Sequence, residues 1–147
     1  MEEEKYYVPS IKEFHVGFEY EYFHPTQEWI KHITTLYDLT NFNVAIPKEF
    51  KIGIKMLLDN NFIRVKYLDK EGIESLGWKY NMPSLGYHLF NYIVNKKGDI
   101  PYRLYINYET HEVVIRHPLS DGHEKFSGII KNKSELEFIM KSLQIIK

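Results

Sequence analysis

The run Phe14-His15-Val16-Gly17-Phe18-Glu19-Tyr20-Glu21-Tyr22-Phe23 constrains the fold more than any other segment. Its even positions are Phe, Val, Phe, Tyr and Tyr, and its odd positions are His, Gly, Glu, Glu and Phe. Alternation with period two is the signature of a β-strand with one apolar and one polar face. Phe18 and Tyr20 should therefore point into a core and Glu19 and Glu21 outward, because a one-residue slip would bury two carboxylates. Twelve tyrosines, nine phenylalanines and two tryptophans extend this aromatic character along the chain, and aromatics favour strands and fill cores.

Other segments alternate as well. Phe62–Leu68 sets Ile63, Val65 and Tyr67 against Arg64 and Lys66. Tyr102–Tyr108 and Glu112–His117 read as a hairpin turning at Glu109-Thr110-His111, and Lys125–Ile130 as a further strand. Trp78-Lys79-Tyr80 suggests a short strand after the turn that Asp69 caps and Gly77 closes. Trp29–Tyr37 fits a helical face or a strand returning on the first, and its β-branched Ile33-Thr34-Thr35 favours the strand. Tyr87–Val94 fits either type. Pro47 suits the start of a helix carrying Phe50, Ile54, Leu57 and Leu58 on one stripe. Near the C-terminus, Ser134-Glu-Leu-Glu137 reads as a capping box opening a helix with Leu136, Ile139, Met140 and Leu143 buried.

This pattern predicts an α+β fold. It has an antiparallel β-sheet of about five to seven strands, one internal helix, and a C-terminal helix packed on one face. A chain of 147 residues without Pro/Gly/Ser-rich linkers reads as a single domain, 1–147, with 1–8 a flexible N-terminal segment. The absence of cysteine excludes disulfides, cysteine-ligated zinc and thiol catalysis, and fits a cytoplasmic setting. Met1-Glu2-Glu3-Glu4-Lys5 has no apolar core, so no secretory signal is expected. No apolar stretch is long enough to predict a membrane span. With 19 basic against 20 acidic residues, duplex nucleic acid is not an expected partner.

Two segments carry a resemblance. Val16-Gly17-Phe18-Glu19-Tyr20-Glu21 and the run Ile63-Arg64-Val65-Lys66-Tyr67-Leu68-Asp69-Lys70-Glu71-Gly72-Ile73-Glu74-Ser75-Leu76-Gly77-Trp78 resemble a group of short uncharacterised proteins from Bacteroidetes and their phages. That group tends to carry an acidic residue where this chain has Gly72. The resemblance implies a small cytosolic, phage-encoded protein and supplies no activity.

Three constellations could carry chemistry. His15, Glu19 and Glu21 share a strand face, but successive same-face positions lie about 7 Å apart, so ligands such as His24, His32, His117 or His123 would have to complete a metal site. Solvated carboxylates paired with lysines are the plainer reading. His117 and His123 flank Ser120 and Asp121 in a stretch of ordinary turn residues, and no Gly-x-Ser-x-Gly elbow is present. The third set is Arg64, Lys66, Arg103 and Arg116 on strands, with Trp78, Tyr105 and Tyr67 among them. Arginine beside aromatics can clamp a phosphate and stack a base, or it can pair with glutamates across strands.

The reading of function is a non-catalytic protein that sequesters a small anionic, nucleotide-like ligand. Its expected ligand residues are Arg64, Lys66, Trp78, Arg103, Tyr105 and Arg116. No cofactor, metal site or hydrolase activity is expected. The alternative is a protein–protein interaction module, which the same tyrosines and arginines would serve. Exposed strand edges would also suit a homo-oligomer.

Overall fold

The computed structural model describes residues 5–36, 54–92, 102–117 and 124–146. The chain divides into two compact units, Met1–Tyr67 and Leu68–Lys147. No linker composition marks the division, because Tyr67-Leu68 continues an alternating stretch. The architecture is α+β, and the strands expected in one sheet are shared between two, both antiparallel.

In the first unit the strands are β1 (Tyr6–Tyr7), β2 (Glu19–Phe23), β3 (Trp29–Ile33) and β4 (Ile63–Lys66), in the order β1-β4-β2-β3. Tyr6 and Tyr7, expected in a flexible terminal segment, pair with Lys66 and Val65. A 3₁₀ turn, Ile11–Glu13, follows β1, and Ser10 and Glu13 cap it reciprocally. β2 is shorter than the alternating run that predicts it. Gly17 takes φ +91, a left-handed turn that L side chains resist, and its N–H bonds to the Thr34 carbonyl. The alternation itself holds, since Phe18, Tyr20 and Tyr22 are buried. Ile63 and Val65 from β4 and Leu57 from α1 (Ile54–Asp59) complete this core. The expected helix start at Pro47 and the side chain of Phe50 lie outside the described residues.

In the second unit, β5 (Lys79–Ser84), β6 (Tyr87–Tyr92), β7 (Tyr102–Asn107), β8 (Glu112–Arg116) and β9 (Glu124–Ile129) follow one another as a meander. The Trp29 segment, ambiguous in sequence, is a strand over Trp29–Ile33 and leaves the sheet at Thr34, and the Tyr87 segment is a strand over Tyr87–Tyr92. One face of this sheet carries Phe90, Leu104, Ile106, Val113 and Ile115 into a core shared with Ile73 of α2 (Lys70–Ser75) and with Leu136 and Met140 of α3 (Lys133–Ser142). Ile139 and Leu143 pack against that core while half-buried.

The capping box expected at Ser134 is corrected by the structure. Asn132 is the N-cap, with extended backbone and its Oδ1 accepting the Glu135 N–H at 2.9 Å. Glu135 reaches back to the Lys131 N–H at 2.7 Å. Asn competes well with Ser at this position, and starting two residues earlier lets Ser134 be buried inside the first turn. Asn132→Ala should therefore lower stability by about 1 kcal/mol, whereas a Ser134-capped helix would not respond to it. Urea midpoints of the two proteins decide between them.

Candidate functional site: the outer face of the five-stranded sheet

Register and alternation place a second set of side chains on the face opposite α3. From β7 these are Arg103, Tyr105 and Asn107, and from β8 Glu112, Val114 and Arg116. Arg103 lies directly opposite Arg116, Tyr105 opposite Val114, and Asn107 opposite Glu112. An open groove of about 460 Å³ runs over this face. It is lined by Tyr105, Val114, Glu112, Arg116 and Tyr87, by Ser127 and Glu124 of β9, and by Ser84 and Leu85 at the β5–β6 turn.

Two opposed arginines repel, so their pairing weakens the sheet unless an anion joins them. Arg116 is partly compensated: its guanidinium meets Glu124 at 3.2 Å and stands 5.7 Å from the centre of the Tyr105 ring. Arg103 is exposed and has no carboxylate partner among the described residues. Asn91, its neighbour on β6, offers only an amide. At the other end of the groove the Tyr87 hydroxyl donates to Glu112 Oε2 at 3.0 Å. That bond, with burial and the Glu112 charge adding to it, raises the Tyr87 pKa and keeps the phenol a donor.

The six expected ligand residues separate. Tyr105 and Arg116 line the groove, and Arg103 lies on the same sheet face, opposite Arg116 and outside the groove lining. Trp78 does not: it is 1% exposed in the core of the second unit, and its Nε1–H points at Met140 Sδ, 3.2 Å away. Its position just before a strand looked open in sequence, but the helices on that side of the sheet enclose it. It cannot stack a ligand.

Arg64 and Lys66 belong to the first unit. Arg64 is already engaged there. Its Nε donates to Glu21 Oε2 at 2.7 Å, and its guanidinium carbon lies 3.8 Å from the Tyr6 ring centre and 4.1 Å from that of Trp29. Both faces and one edge of the guanidinium are used in holding β1, β2, β3 and β4 together, which is the cross-strand pairing alternative realised. Lys66 is exposed opposite Tyr6.

Of the acidic face, Glu21 serves Arg64, and His15 lies outside the strand, with its Nδ1 near the Val16 carbonyl. Among the described residues no three His, Asp or Glu side chains converge as a metal set. Ser120, Asp121 and His123 lie outside the described residues. No helix among the described residues is long and apolar enough to cross a membrane.

Tyr87, Glu112, Ser127 and Leu85 are groove residues that sequence reasoning missed. Glu112 was within reach, because it shares a face with Val114 and Arg116 at two-residue steps. Tyr87 was not, because its strand had no sequence-level type or register.

The β7–β8 turn carries a separate titrating group. Burial, and then the charge of Lys131, lower the His111 pKa below its ordinary 6.5. A base whose folded pKa is depressed costs stability once the unfolded chain begins to take up the proton. Stability should thus be full above about pH 6.5 and fall as pH drops through that value toward the folded pKa. His111→Asn, which tolerates the left-handed φ of +61, should flatten this slope in melting temperatures taken across pH 5–8.

Comparisons with protein-family models, with curated proteins and with solved structures return no match.

Proposed function

We propose that the groove over the outer sheet face binds a small anionic ligand carrying a flat ring, and that the protein holds this ligand without transforming it. The observation that carries the reading is Arg103 set directly across from Arg116 beside the half-buried ring of Tyr105. Arginine's planar fork of donors matches phosphate or carboxylate oxygens, and an anion between two such forks would turn their repulsion into attraction. A ring lying on Tyr105 would add about 1–3 kcal/mol. The groove is large enough for one mononucleotide-sized guest, within the range typical of small-molecule sites.

Calorimetric titration with mono-, di- and cyclic nucleotides tests this. Binding at micromolar strength or tighter is expected. Arg103→Ala should abolish it and leave the melting temperature unchanged or slightly raised, since the substitution removes a like-charge opposition. Absence of heat from every nucleotide would reject the reading.

A second reading has its own observation. Leu85 is 100% exposed at φ +47 in the β5–β6 turn, and Tyr80 and Met82 are exposed on β5, an edge strand. A strained, bare leucine beside an open edge suits contact with a protein, including a second copy of the chain. Light scattering across a concentration series, compared with Leu85→Asn, measures that contact. A mass that stays monomeric and is insensitive to the substitution would set the homo-oligomer aside.

A further inference from the structure

The groove is not uniformly basic, because Glu112 lines the end away from Arg116. Resting on the anion-binding reading above, we infer that the ligand is a guanine-type nucleotide, recognised at its base edge by Glu112. Glu112 and Arg116 share a face of β8 four residues apart, which along a strand is about 13 Å. Tyr105 lies between them, opposite Val114. That separation, shortened by the reach of both side chains, matches the span from a nucleotide's phosphate to the far edge of its base.

A carboxylate only accepts hydrogen bonds. Guanine presents two adjacent donors on the relevant edge, the ring N–H and the exocyclic amine, and a carboxylate can take both in parallel. Adenine presents a ring acceptor at the corresponding position, which would face the carboxylate's lone pairs. The Tyr87 hydroxyl fixes Glu112 from the side by donating to Oε2. Glu112 thus stands oriented over the end of the groove remote from the arginines. The chemistry is shared by a free mononucleotide and by guanosine in a single strand, and the two sources need separate probes.

The test is calorimetric titration of the full chain with GMP, IMP, AMP and a single-stranded tetraguanylate. GMP should bind about tenfold or more tighter than AMP, as expected for two bonds to a charged acceptor, with IMP between because it lacks the amine. Glu112→Gln should bring GMP close to AMP. Tyr87→Phe, which keeps the ring and removes the orienting hydroxyl, should narrow the same preference and provides a second variant should Glu112→Gln perturb the sheet. GMP binding alone, or equal binding of the strand per guanosine, identifies the source and supports the inference in either case. Equal affinity for GMP and AMP, or a preference untouched by Glu112→Gln, overturns guanine recognition while leaving the anion groove standing. No binding of any probe overturns both.

Discussion

Replacing Trp78 with alanine should cost about 3–5 kcal/mol, enough to remove much of the stability of a domain of this size. The side chain is fully enclosed by the core residues of the second unit, and its indole N–H meets the Met140 sulfur. Truncation would leave a cavity bordered by the sheet, α2 and α3, elements too well packed to collapse into it. Trp78→Phe should cost less, since a ring remains and only the bond to sulfur and part of the volume are lost. Guanidinium unfolding followed by far-UV circular dichroism measures both. A Trp78→Ala midpoint equal to the parent's would mean that this core is not formed.

Phe18→Ala should be comparably costly for the first unit, again about 3–5 kcal/mol. Phe18 is 1% exposed, and its ring lies against Phe14 at 5.0 Å and near Tyr20 at 6.4 Å. Such aromatic pairs contribute beyond the area they bury. The residue also sits where the chain leaves the Gly17 turn and enters β2, and its carbonyl accepts bonds from the Thr34 N–H and hydroxyl, both at 2.9 Å. Hydrogen exchange should show the protection of β2 and β3 amides falling in Phe18→Ala. Unchanged exchange in those strands would contradict the packing described for this unit.

The β character of the chain was legible because alternation survives in Glu19–Phe23, Ile63–Lys66, Tyr102–Asn107 and Glu112–Arg116, where one face meets a core and the other does not. The division into two sheets was not, since each strand's pattern reports its own faces and says nothing about its partners. β6 was obscure for a related reason. Both faces of its middle are covered, with Leu89 and Phe90 both buried, so its apolar residues run together instead of alternating. The same limits governed the site. Tyr105, Arg103 and Arg116 could be placed on one sheet face because hairpin-connected strands fix their register through a short turn. Trp78 misled because a large aromatic next to a turn has the same sequence appearance whether it faces water or a helix. Arg64 misled because its partners, Tyr6, Glu21 and Trp29, come from three other strands whose pairing only the fold supplies.

The most direct measurement of the central claim is amide chemical-shift mapping of the isotopically labelled protein during titration with GMP. Binding in the groove predicts shifts concentrated at Arg103, Tyr105, Glu112, Val114, Arg116 and Ser127, saturating with the nucleotide and absent in Arg103→Ala. Shifts centred instead on Tyr6, Glu21, Trp29 and Arg64, or a spectrum unmoved by nucleotide, would contradict it.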